Sequence, residues 1–169
     1  MTQLLSRYYF WFFVPIAIGA FIWFFLVSNG QREDLGLVIT IIGSSLSFFY
    51  VVQKQKLEEL QTFKQLFTDF NKRYDSMNEK LNEIVKAETL KDCHHDILND
   101  YFNLCSEEYL YYRKGHVYGE VWKAWCNGML YYLADDKISQ KWKDEQNQNS
   151  YYGLTLEEIK RGSRKRTFS

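Results

Sequence analysis

Residues 35–52 read LGLVITIIGSSLSFFYVV and carry no charged side chain. An α-helix rises about 1.5 Å per residue, so this run spans roughly 27 Å, close to the hydrocarbon thickness of a bilayer. An earlier run, residues 8–27, reads YYFWFFVPIAIGAFIWFFLV and is also uncharged. It lacks the small-residue cleavage site of a signal peptide, which indicates a retained span. The two runs predict a transmembrane hairpin within residues 1–52.

Charges that flank the two runs predict their orientation. Arg7 precedes the first run, and three lysines lie in residues 53–64, directly after the second. The link between the runs, residues 28–34, has one basic residue offset by two acidic ones. Because basic residues favour the cytoplasmic side, we expect a multi-pass membrane protein with both termini in the cytoplasm and the link outside.

Small and hydroxylated residues fall on one side of the second run. At helical spacing they form a single face, whose members are Gly36, Thr40, Gly43, Ser44 and Ser47. Such a face allows close helix–helix packing in a membrane. The alternative is a weakly polar pore lining in an assembly of several copies. Neither run contains Asp, Glu, Lys, Arg or His, which argues against a proton relay.

Residues 53–88 have the pattern of one long helix that continues the second run. Apolar residues alternate at spacings of three and four, and they are Leu60, Phe63, Phe67, Phe70, Tyr74, Met77, Leu81 and Ile84. This heptad stripe fits either a parallel coiled coil between chains or packing against later helices of the same chain. Half of its positions are aromatic, which favours packing within the chain, with self-association in addition or instead.

Further helices are predicted in residues 89–159. Thr89 and Asp92 resemble a capping box that opens a helix through Arg113, and Gly115 follows as a C-terminal cap. Another helix is predicted for residues 119–133. Their apolar faces predict a helical-domain core that includes Tyr101, Phe102, Trp122 and Trp125.

The remainder of the chain continues the helical pattern. A short helix containing Trp142 is predicted after Asp135. Thr155 and Glu158 resemble a second capping box, which opens a terminal turn or two before Gly162. No period-two pattern appears outside the membrane runs, so the predicted fold class is all-α.

No catalytic, cofactor-binding or metal-binding set is apparent in the sequence. The four adjacent residues Cys93–Asp96 point about 100° apart on a helix and cannot chelate one ion well. The three cysteines have irregular spacing, which is typical of a reducing compartment. Of Glu107 and Glu108, we expect one to be solvated and one to bond a neighbour such as Arg113 or a tyrosine hydroxyl. We therefore predict no enzyme activity and no cofactor.

Charge is distributed unevenly in the second half of the chain. Residues 53–159 hold 14 basic and 19 acidic residues, whereas residues 160–169 form a basic tail without an acid. Its basic members are Lys160, Arg161, Arg164, Lys165 and Arg166. Such a tail is either simply solvated, attracted to anionic lipid, or in contact with nucleic acid of a partner complex.

The order of these elements resembles a group of bacterial proteins with one or two transmembrane helices and a cytoplasmic all-helical domain. The resemblance is carried by YFNLCSEEY at residues 101–109, by Gly115, by VWxxW at residues 121–125 and by Gly128 with Met129. Relatives of this kind occur as membrane effectors in retron-type anti-phage defence systems. The resemblance implies a bacterial inner-membrane location and a helical domain that restrains a membrane-damaging hairpin.

Partners follow from the same resemblance. It implies a cytoplasmic protein partner, which in a retron setting is a reverse transcriptase with its RNA–DNA product. The expected function is therefore an inner-membrane effector, a toxin held inactive by its partner, that permeabilises or depolarises the bilayer when released. The alternative is a membrane-anchored scaffold that recruits or oligomerises partners through its cytoplasmic helices.

Overall fold

The computed structural model describes residues 14–15, 18–19, 21–24, 32–146 and 151–164. These residues are helical or lie in short connections, and no strand occurs among them, so the all-α prediction is confirmed. The helices are α1 Arg32–Lys86, α2 Asp92–Arg113, α3 Gly119–Leu133, α4 Asp136–Gln146 and α5 Leu156–Arg164, with a 3₁₀ turn at Tyr151–Gly153 before α5. The chain divides into two compact units, residues 1–60 and residues 61–169.

Helix α1 contains the whole of the second apolar run and continues without interruption to Lys86. The predicted continuity is confirmed, although the helix ends two residues before the expected residue 88. In the described part of the chain, α1 is the one helix that is long and apolar enough to cross a membrane. The first run, residues 8–27, lies mostly outside the described residues, so the two-helix hairpin is not shown.

Helix α2 begins later than the sequence indicated. Thr89 was expected to cap it, but the first helical residue is Asp92, and the backbone N–H of Lys91 donates to His94 Nδ1 at 3.2 Å. The predicted capping box is therefore wrong. Leu90, which follows Thr89, packs against the hydrophobic core, and this contact holds the preceding segment out of the helix.

The C-terminus of α2 follows its prediction. Gly115 adopts a φ of +82°, a conformation that costs glycine little. The N–H of Gly115 donates to Tyr112 O at 3.0 Å, and the N–H of His116 donates to Tyr111 O at 3.0 Å. These two bonds form a Schellman motif, which satisfies carbonyls that the helix end leaves without partners.

The last three helices agree with their predictions in part. Helix α3 has the predicted bounds, and α4 contains Trp142 as expected. Thr155 caps α5, because its Oγ1 accepts the backbone N–H of Glu158 at 3.2 Å. Gly162 was expected to follow the last turn, but α5 continues through it to Arg164. Gly162 is buried inside the helix, so it serves packing and does not end the helix.

The second unit has one hydrophobic core. The end of α1, the buried faces of α2, α3 and α4, the 3₁₀ turn and α5 all contribute to it. Its largest fully buried side chains are Trp122, Trp142, Tyr132, Phe102, Leu81 and Ile84. Trp142 stacks on Tyr151 with ring centroids 5.2 Å apart and meets Phe102 edge-on at 4.9 Å. The core is therefore rich in aromatic contacts between helices.

Candidate functional site

The small-residue face of α1 is exposed along its whole length. Its members Gly36, Thr40, Gly43, Ser44 and Ser47 are all exposed. A Cβ built at Gly36 or Gly43 would meet no atom within 4 Å. Val38 is buried, and at about 100° per residue it lies on the opposite side of the helix. Within the described residues, this face is open for contact with lipid or with another helix.

The heptad stripe changes character along α1. Leu60 and Phe67 are exposed by 52% and 40%, whereas Phe70 is buried. Tyr74 and Met77 are partly buried against the core, and the stripe ends in two fully buried residues, Leu81 and Ile84. From Phe63 onward, the stripe packs on helices of the same chain.

Aromatic rings cover the more exposed part of this stripe in the second unit. Phe63 lies 4.3 Å from the Tyr118 ring, and Phe67 stacks on Trp125 at 6.2 Å. Phe70 meets Trp125 edge-on at 5.7 Å. Trp125, predicted as a core residue, is only half-buried, because it lies in this outer layer while Trp122 fills the core. The predicted core positions Tyr101 and Phe102 are buried.

A polar cluster joins α1 to α3. The Tyr132 hydroxyl donates to Asn78 Oδ1 at 2.9 Å and lies 3.2 Å from the Tyr74 hydroxyl. Asn82 Nδ2 also donates to Asn78 Oδ1, at 3.2 Å. Tyr132 is 2% exposed, and its burial raises the pKa of the phenol well above the usual range. The Tyr132 hydroxyl therefore stays protonated near neutral pH, and the cluster fixes the register of α1 against α3.

An ion pair joins α1 to α2. Arg73 Nη1 lies 2.5 Å from Glu107 Oε2, and Nη2 lies 3.2 Å from Oε1, so the pair is bidentate. Arg113 or a tyrosine hydroxyl had been expected to bond one of the two glutamates, but Arg113 donates to the carbonyl of Tyr152 at 3.4 Å instead. The correct partner comes from α1, which is 34 residues away in the sequence.

Glu108, next to this pair, is buried in the core with 6% exposure. Loss of solvation raises the pKa of its carboxyl to about 8, although Arg73 opposes the shift. The thiols of Cys105 and Cys126 are also buried, and burial raises the pKa of Cys126 to about 12. Near neutral pH these groups are mainly uncharged, which suits a packed interior and not a nucleophile.

The described residues contain no set of three His, Cys, Asp or Glu side chains that could hold a metal. In the Cys93–Asp96 segment, His94 accepts a backbone hydrogen bond and Cys93 is exposed. No nucleophile paired with a base appears among the hydrogen bonds of the described residues. Sequence reasoning missed Arg73, Asn78 and Tyr132, since nothing local marks a contact between residues so far apart.

The predicted basic tail is partly helix. Lys160, Arg161 and Arg164 belong to α5, so the boundary placed at residue 160 lies inside an ordered element. Lys160 Nζ lies 3.6 Å from Glu157 Oε1, and Arg161 pairs with Glu158. The predicted boundary assigned Glu157 and Glu158 to the preceding domain, but they offset the charges of Lys160 and Arg161. Lys165 and Arg166 lie outside the described residues.

No protein-family profile, curated protein or solved structure matches the chain.

Proposed function

We propose that this chain is an inner-membrane effector of a bacterial, retron-like defence system. In this proposal a two-helix hairpin crosses the membrane with both termini in the cytoplasm. A partner holds the chain inactive, and its release lets the hairpins associate and depolarise the membrane. The observation that carries the proposal is the continuity of α1, which joins an exposed apolar segment to the core of the helical unit.

The two ends of α1 have environments that suit this role. The 18-residue apolar window is 6% buried, as expected for a segment whose solvent is lipid. Farther along, Leu81 and Ile84 are completely buried. Because the same helix carries both, a partner that alters packing around Leu81 and Ile84 acts on the element that contains the membrane span.

The open small-residue face of α1 supports association between hairpins. The hydrophobic effect does not drive helices together in lipid. Such assemblies are stabilised instead by close packing at small residues and by hydrogen bonds from hydroxyl groups. The Thr40 hydroxyl donates to Gly36 O at 2.8 Å, which satisfies it within its own helix until a neighbour arrives. Several copies would present these weakly polar groups to each other and to water.

The expected partner is a cytoplasmic protein, and in a retron setting it is a reverse transcriptase carrying its RNA–DNA product. Arg164, Lys165 and Arg166 supply basic groups beyond the last paired residue of α5 for contact with that nucleic acid or with anionic lipid.

The test is production of the full chain in a bacterial host while membrane potential is followed with a dye. We expect depolarisation and growth arrest when the chain is produced without its partner, and protection when the partner is present. Normal polarisation and growth in both conditions, with and without phage infection, would contradict the proposal.

Two variants locate the activity on the small-residue face. Gly43→Leu adds a large side chain to that face and is expected to prevent depolarisation. Leu46→Phe adds bulk at a position that is 65% exposed on another side of the helix, and is expected to leave the activity intact. Membrane fractionation must show equal amounts of both variants. Equal activity would remove the face from the proposal.

A membrane-anchored scaffold is the second candidate. It is favoured by the exposed rings of Phe67 and Tyr118, which could receive a partner helix. Replacing residues 1–52 with an unrelated two-helix anchor separates the two candidates. A scaffold keeps its function after this exchange, whereas an effector loses it.

A further inference from the structure

A small pocket lies between α2, α3 and α5. Its walls are the rings of Tyr109, Tyr112 and Trp122, together with the side chains of Arg113, Arg161 and Glu158. Its volume is about 120 Å³. A space of this size is large enough for one compact polyatomic group.

Helices α3 and α5 pack closely beside the pocket, at Gly162. A Cβ at Gly162 would lie 2.5 Å from Cys126 Sγ and 2.5 Å from Trp122 Nε1, so only glycine lets α5 approach α3 this closely. Trp122 also stacks on Tyr112 with ring centroids 4.9 Å apart and planes 13° apart. The pocket is therefore built by rigid contacts among three helices.

The polar groups of the pocket favour an anion. Arg113 lies over the Tyr109 ring at 5.6 Å and forms no ion pair among the described residues. Arg161 is the second cation, and Glu158 is its partner. Two guanidinium groups against one carboxylate leave one net positive charge beside three aromatic rings. Arginine is well suited to phosphate because its planar fork donates two parallel hydrogen bonds.

We infer that this pocket binds a single phosphate group, supplied either as free phosphate or as the phosphate of a nucleotide. A tetrahedral oxyanion in the pocket can accept hydrogen bonds from the two guanidinium groups that line it, Arg113 and Arg161. A nucleoside attached to it would lie outside the pocket. Glu158 competes with the anion for Arg161, so it limits affinity. The inference concerns binding alone and does not depend on the proposed membrane activity.

The experiment uses the full chain in detergent micelles at constant ionic strength. Binding of sodium phosphate, adenosine monophosphate and adenosine is measured by calorimetry, with sodium chloride as the blank. We expect both phosphate-containing probes to bind and adenosine not to. Tighter binding of the nucleotide than of phosphate identifies a nucleotide as the source, and equal binding identifies the phosphate group alone.

Three variants test the location. Arg113→Gln is expected to weaken phosphate binding by about tenfold or more, since it removes charge-assisted hydrogen bonds. Glu158→Gln is expected to strengthen binding several-fold, because it frees Arg161 and removes a repelling charge. Lys123→Gln, on α3 but not lining the pocket, is expected to change binding by less than about twofold.

The unfolding midpoint of each variant, measured without phosphate, identifies any that fold poorly. If Arg113→Gln proves unstable, Glu158→Gln and Lys123→Gln still decide the matter. Absence of phosphate binding to the wild-type chain, equal binding of adenosine, or weaker binding in Glu158→Gln would overturn the inference.

Discussion

The two units of this chain differ in the burial of the same kinds of apolar side chain. In the first unit, Leu46 is 65% exposed and Ile39 is 62% exposed. In the second unit, Leu81 and Ile84 are fully buried. All four residues belong to the single helix α1. The hydrophobicity of a residue therefore does not predict whether its side chain is buried. Burial is determined by the elements that pack beside it.

The difference also separates two sources of stability. Apolar burial against protein stabilises the second unit by about 25 cal/mol per Å² of area removed from water. The apolar window of the first unit is 6% buried by protein, and its length and composition are sufficient to cross a membrane. Substitutions of one type made in both units should therefore give different results, and the predictions below use this contrast.

The largest effect is expected at Trp142. Trp142→Ala removes a fully buried ring that contacts Phe102 and Tyr151, and should lower the free energy of unfolding by about 3–5 kcal/mol. Leu46→Ala in the first unit should leave that free energy unchanged within about 0.5 kcal/mol. Denaturant unfolding of the full chain in detergent, followed by circular dichroism, measures both.

Trp142→Phe serves as the control for this substitution. The indole Nε1 of Trp142 is buried without a hydrogen-bond acceptor among the described residues, so its loss should cost little. The phenyl ring keeps much of the aromatic contact. If Trp142→Phe cost as much as Trp142→Ala, the aromatic contacts that the phenyl ring keeps would not be what stabilises the core.

The second effect depends on pH and concerns Glu108. Its pKa rises from 4.5 to about 8 on folding, so the folded state binds more protons than the unfolded state between these values. Stability is thus greatest with respect to this group below pH 4.5, and it falls as pH rises through 8. The loss at pH 9 is up to about 5 kcal/mol.

Glu108→Gln should remove this loss, so the variant should be more stable than the wild type at pH 9 and show a flatter profile from pH 5 to 9. Glu107→Gln is the matched control, because Glu107 lies one residue away and is more exposed. It should keep the slope. Chemical denaturation at a series of pH values measures the profile, and parallel slopes for the wild type and Glu108→Gln would refute this assignment.

The third contrast places one substitution in each unit. Ile84→Val removes a methyl group from the core and should cost about 0.5–1.5 kcal/mol. Ile39→Val makes the same change where the side chain is 62% exposed, and should cost almost nothing. The same unfolding measurement applies. Equal costs would mean that the two units are not distinguished by packing.

Local signals predicted part of this fold well. Gly115 ends α2 because a positive φ is needed there, and glycine meets that need without help from distant residues. The bounds of α3 also follow from periodicity, and the continuation of α1 from residue 53 to Lys86 follows from periodicity and from the absence of proline and glycine in that stretch. These features depend on neighbours within a few residues.

The errors and omissions have distant causes. Thr89 lost its capping role because Leu90 packs into the core, and Gly162 lies inside a helix because Trp122 and Cys126 approach it. Periodicity places Trp122 and Trp125 on one face of α3. The burial of Trp125 depends on α1, because Phe67 covers its ring. Sequence patterns alone cannot supply such contacts, because they arise only when the helices assemble.

The smallest expected effect tests how α1 is held to α2. Arg73 and Glu107 are exposed by 43% and 35% in their side chains, so water screens their attraction. A double-mutant cycle with Arg73→Gln and Glu107→Gln should give a coupling of about 0.2–1 kcal/mol, reduced by added salt. The cycle Tyr74→Phe with Tyr132→Phe provides a comparison, because that hydroxyl pair is more buried and should respond little to salt. If the ion pair proved insensitive to salt while the hydroxyl pair responded, the surface pair and not the buried polar cluster would be the fixed connection of α1 to the helical unit.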